Sequence, residues 1–150
     1  MKFNYWILII LVAIMTVAAC KSTKKTSEKD ADAKTPVRNM IFFDKPFEDL
    51  KTDYFDIDSL AVEGQTLAVF VSYGGGCGDA AFEMYYKPQM ITVMPHRSSL
   101  FLKLIDNDPC RSIISEKLLF DLSVLNKEAT TGGVILTISD NELRYQISDE

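Results

Sequence analysis

The chain is built from short runs in which apolar residues fall on every second position, and that alternation constrains its fold more than any other feature. Residues 66–73 put Leu67, Val69, Val71 and Tyr73 on one face. Successive side chains of a strand point to opposite sides, so this period marks a strand with one buried face. Phe82, Met84 and Tyr86 repeat the pattern, as do Leu100, Leu102 and Leu104, and then Leu118, Phe120 and Leu122. Residues 55–62 read as a strand whose phase slips near Ser59-Leu60, the mark of a bulge. With Glu63-Gly64 as the turn, it forms a hairpin with 66–73. Val134, Leu136 and Ile138 run up to a turn at Asp140-Asn141, and Leu143, Tyr145 and Ile147 run back. Ile41-Phe42-Phe43 reads as a first edge strand or a segment packed on the domain, and 90–94 as a short strand stopped by Pro95. Asp108-Pro109 reads as a helix start, with Asp at the N-cap and Pro at the first helical position, followed by one or two turns over 111–116. Seven or eight strands in about 110 residues predict an all-β fold, a small antiparallel β-sandwich; an Ig-like arrangement or a partly open barrel is the alternative.

The N-terminus has a different texture. Lys2 precedes YWILIILVAIMTVAA at 5–19, which carries no charge, and Val17-Ala18-Ala19 lead into Cys20. The run is shorter than the about 17 residues that a membrane span requires. Small residues before a cysteine are the layout of a secretory signal peptide with its cleavage site. This layout resembles the lipobox of bacterial lipoproteins, which implies that Cys20 is the lipid attachment residue. Lys21, Lys24 and Lys25 follow the run and weigh toward the opposite insertion, so an uncleaved helix is the competing reading. Residues 21–38, KSTKKTSEKDADAKTPVR, hold almost nothing that could enter a core. They read as a tether with a root-mean-square reach of about 25 Å. The expected organisation is a signal peptide over 1–19, lipidated Cys20 and tether over 20–39, and a β-sandwich domain over 40–150.

Export has a consequence for the other cysteines. In an oxidising compartment Cys77 and Cys110 are expected to form a disulfide. A metal site is the competing reading, but their spacing and a single histidine, His96, do not make a zinc motif. A bridge requires the two Cα atoms within about 7 Å, so the loops carrying them must share one end of the sandwich. Asp79 and Arg111 lie close to the two cysteines in sequence and form a candidate ion pair.

Tyr73-Gly74-Gly75-Gly76-Cys77, Phe82, Asp108-Pro109-Cys110-Arg111 and Leu119-Phe120-Asp121-Leu122 resemble a pattern in small lipoproteins of Bacteroidota described as NigD-like, with a C-terminal β-sandwich. The likeness spans about residues 70–125. It supports the cysteine pairing and the fold, and it implies no catalytic residue. A histidine common after the first cysteine in that pattern is replaced here by Asp79-Ala80-Ala81.

Charge and motif narrow the function. The net charge is −5 and the pI about 4.9, which disfavours phosphate backbones and so nucleic acid as a partner. The glycine run lacks the Lys-Ser/Thr of a phosphate loop. His96 has no nucleophile motif around it. Asp106-Asn107-Asp108 lacks the glycine of a calcium loop. Asp53, Asp56 and Asp58 read as a solvated strand face. Tyr73, Tyr85, Tyr86 and Phe101 are either sheet packing or a binding surface. The expectation is a lipid-anchored, non-enzymatic binding module without cofactor or metal. It would be held to the outer membrane, on the periplasmic face, with another envelope protein or a small ligand as partner. A structural or assembly accessory is the alternative and an enzyme the third reading.

Overall fold

The computed structural model describes residues 35–88 and 94–147. The apolar run, Cys20, nearly all of the expected tether and, save Met94, the strand expected at 90–94 lie outside them.

Nine strands are described: β1 Val37–Asn39, β2 Ile41–Phe42, β3 Phe55–Glu63, β4 Thr66–Gly75, β5 Ala80–Pro88, β6 His96–Asp106, β7 Ser112–Asp121, β8 Val134–Ile138 and β9 Asn141–Tyr145. They form two sheets, ordered β1-β7-β4-β3 and β2-β5-β6-β8-β9. The inward residues of the first, among them Leu67, Val69, Val71, Leu118 and Phe120, join Met84, Leu102, Leu104, Leu136 and Ile138 of the second in one core. Burying each such side chain stabilises the fold by about 1.5–3 kcal/mol, so the alternation read from the sequence is the main source of the architecture. The expected bulge is present: the β3–β4 register shifts between Ile57 and Ser59. Gly64, at φ 61°, turns that hairpin.

The structure corrects three expectations and adds one helix. The sheets are mixed rather than antiparallel, because β1–β7, β2–β5 and β6–β8 pair in parallel. Parallel neighbours need a crossover. β8 reaches β6 only after β7 has run in the other sheet and the chain has passed a 3₁₀ turn at Ser123–Leu125 and the short helix α1, Asn126–Thr130. That helix, missed in the sequence, buries Ala129, as the turn before it buries Leu125. The domain boundary at 39/40 falls too late. Val37–Asn39 pairs with Leu119–Asp121 through backbone bonds, which a polar segment can make without an apolar pattern. No helix follows Asp108; residues 112–121 are extended.

One chain segment serves both sheets. β1 edges the first, Met40 dips into the core at 7% exposure, and β2 edges the second.

Candidate functional sites at a bridged corner and a broken ladder

Cys77 and Cys110 are bridged, with Cα atoms 5.9 Å apart across a sequence separation of 33. The group that organises this corner is the carboxylate of Asp108. Its Oδ2 accepts the backbone N–H of Gly76 at 2.6 Å and of Cys77 at 2.9 Å, and its Oδ1 accepts that of Cys110 at 2.8 Å. These donors hold its pKa down at about 2: the Cys110 N–H has the largest effect, desolvation opposes it as the second, and the N–H groups of Gly78, Cys77 and Gly76 tip the balance downward. Asp106 Oδ1 in turn accepts the Asp108 N–H at 2.7 Å.

The glycines permit this. Gly76 sits at φ 117°, and a Cβ on Gly78 would lie 2.8 Å from the Asp108 Cα. The run that could have been mistaken for a phosphate cradle thus wraps an internal carboxylate. Asp79 and Arg111 do not pair: no ion pair joins them among the described residues. Both are exposed, and Asp79 serves through its carbonyl, which accepts the Asn107 N–H at 3.0 Å. An exposed pair gains at most about 1 kcal/mol, too little to order two solvated side chains by itself. Cys77, Asp108 and Cys110 offer atoms within 4.8 Å of one another. The sulfurs are bonded to each other and the carboxylate to backbone N–H groups, so the donor set is already used.

The second site lies farther back along β6. Residues 43–54 cross the outer face of the five-stranded sheet as a strap. Phe43 donates its N–H to the Tyr86 carbonyl at 3.0 Å and packs edge-on against Tyr85 at 5.6 Å between centroids. Phe47 stacks on Phe101 at 5.5 Å. The strap then stands in for a strand beside the far end of β6. Asp53 N–H donates to the Leu104 carbonyl at 3.1 Å, Thr52 Oγ1 accepts the Leu104 N–H at 2.9 Å, and Asp53 Oδ2 accepts the Asp106 N–H at 2.9 Å. β8 flanks the other end of β6, from His96 to Leu100.

Between these two neighbours opens a cleft of about 840 Å³. Phe47 and Tyr54 come from the strap, Phe101 from β6, and Thr137, Ser139 and Asn141 from the β8–β9 hairpin. Tyr54 is 80% exposed and donates its hydroxyl to Asp56 Oδ1 at 3.0 Å. That bond to a carboxylate raises its pKa.

The four aromatics singled out in the sequence divide. Tyr73 packs on Phe82, Tyr86 packs on the core and meets Phe42, and Tyr85 is covered by Phe43. Only Phe101 lines the cleft, with Phe47 and Tyr54, which the sequence did not single out. His96, the first residue of β6, lies opposite Val134 and does not line the cleft. Asp58 accepts the Ser72 hydroxyl on the exposed strand face.

No family model and no curated protein matches the chain. Solved structures do. A NigD-like immunity protein from Bacteroides caccae superposes with a TM-score of 0.54 at 13% identity, over 73% of this chain and 58% of the other. A DUF1344 protein of unknown function from Bacteroides vulgatus gives 0.49 at 17% identity, over 77% and 58%. The chain thus spans less than two thirds of either structure. At these identities the likeness concerns the fold alone: the chain carries a NigD-like β-sandwich.

Proposed function

We propose that the protein is a lipid-anchored envelope protein that works by binding, without catalysis. Cys20 would carry the lipid, and the periplasmic face of the outer membrane would be its site. The partner would be another envelope protein or a small ligand. The observation that carries this reading is the cleft beside β6, where an aromatic side chain stands 80% exposed at Tyr54 above aromatic walls. Exposed aromatics next to a concave surface are characteristic of binding sites. The same fold occurs in a protein described as a NigD-like immunity protein, which accords with a binding role.

A photo-crosslinking residue at Tyr54, in cells that make the anchored protein, should give a discrete adduct. The same residue at Ile113, 82% exposed on β7, should give none. Equal labelling at both, or none at either, would favour a structural accessory instead. Cys20→Ala should abolish lipid labelling and release the domain from the membrane; a still-labelled variant would end the lipoprotein reading. Protease added to intact cells should leave the domain uncut, and cleavage would place it on the outer surface.

A further inference from the structure

Leu104 turns both its N–H and its C=O away from β5, toward Thr52 and Asp53. Backbone groups repeat their direction every second residue along a strand, so Leu100 and Leu102 turn theirs the same way. Leu100 has its neighbour in Ile138, where the β8 register ends. Leu102 therefore turns its N–H and C=O toward the cleft, where no strand partner is found among the described residues, although the residue as a whole is only 4% exposed and lies at the cleft floor. From Leu100 to Leu104 is about 13 Å of strand, room for two or three residues of extended chain.

The charge of the cleft selects what would enter. Asp53, Asp56 and Asp140 line it, and among the described residues no lysine or arginine does. None of the three belongs to an ion pair among the described residues. Phe47 is stacked on both Phe43 and Phe101, so the open aromatic face is that of Tyr54, 80% exposed; it suits a flat cation that stacks as well as pairs, which describes a guanidinium better than an ammonium.

We infer that the break in the ladder at Leu102 is a docking site for a short extended segment of a partner protein that carries an arginine. The inference rests on the binding reading above and names the partner's chemistry. The segment's backbone pairs with the Leu102 N–H and C=O. Its guanidinium lies among Asp53, Asp56 and Asp140. The mode is strand addition at an interior gap rather than at a sheet edge.

The test uses the full-length protein in detergent, labelled with ¹⁵N-leucine, and the blocked peptide acetyl-Thr-Val-Arg-Val-Thr-amide. The Leu102 amide signal should shift on titration. A peptide with citrulline, the neutral isostere, should bind at least about tenfold more weakly. Asp56→Asn and Asp140→Asn should each weaken the arginine peptide about twofold to fivefold. Asp53 is left intact because it holds the strap on Asp106. Equal binding of the citrulline peptide, or an unmoved Leu102 amide, overturns the proposal, as does arginine amide binding as tightly as the pentapeptide. If the peptide fails while Tyr54 still crosslinks in cells, the arginine chemistry falls and the binding module stands. If the peptide binds but no crosslink forms, the site stands and the cellular reading falls.

Discussion

The bridged corner and the broken ladder sit at neighbouring stretches of one strand, and they treat the backbone in opposite ways. Just past the end of β6, Asp108 collects N–H groups from two loops that a disulfide already joins. Four residues before that end, at Leu102, β6 lacks a neighbour on one side. The corner is overdetermined, and the gap is left open beside it. Between them, Asp53 and Thr52 hold the strap on Leu104 and Asp106. A binding geometry is best kept by rigid supports, and here the support is the covalent corner.

The comparison can be broken most severely at the bridge. Replacing Cys77 and Cys110 by serine should cost about 3–4 kcal/mol for a closed loop of 33 residues, read from urea unfolding. An unchanged midpoint would show that Asp108 alone organises the corner. Next, Gly78→Ala forces a methyl group to within 2.8 Å of the Asp108 Cα. Backbone must move, and a loss of about 1–3 kcal/mol is expected. On the open side, Phe47→Ala removes the stacking on Phe101 and should cost about 1 kcal/mol. It should also raise the hydrogen exchange of the Leu104 amide, which the strap protects.

Acid sharpens the comparison further. The Asp108 pKa is lowered in the folded chain to about 2. Its contribution is therefore complete above the unfolded carboxylate value of about 3.9 and is lost as pH falls toward 2. Melting temperatures between pH 4 and pH 2 should fall more for the native protein than for Asp108→Asn, which has no such group to protonate. Parallel curves would remove Asp108 from the account. The smallest effect belongs to Tyr54→Phe. It deletes an exposed hydroxyl and should change stability by less than about 0.5 kcal/mol in the same urea assay.

How much of this could be read from the residues follows from what each region is made of. The sandwich was legible because Leu67, Val69 and Val71, and their counterparts in the other strands, bury alternate positions over long runs. The bulge at Ser59 showed as a slip in that phase. Parallel pairing was not legible, since alternation is the same whichever way a neighbour runs. Half of the corner was legible. Two leftover cysteines suggested the bridge, and an acid before Pro109 suggested capped backbone N–H groups. Two of the N–H groups that Asp108 caps proved to belong to a loop 31 and 32 residues earlier rather than to a following helix. The strap and cleft left almost no trace. Phe47 and Tyr54 stand in a segment without a period, and Thr52 joins the ladder through a side-chain oxygen, which no pattern of apolar residues reports.

The edge segment from Val37 to Phe42 has a mechanical meaning. Tension applied to the chain ahead of Thr35 meets the three residues of β1 first, which are joined to β7 by backbone bonds and by the Arg38–Glu116 ion pair at 3.2 Å. Beyond them Met40 is seated in the core at 7% exposure. Forced unfolding is governed by rates rather than by equilibrium stability, so a pull on this end should open the short first strand before the longer strands behind it.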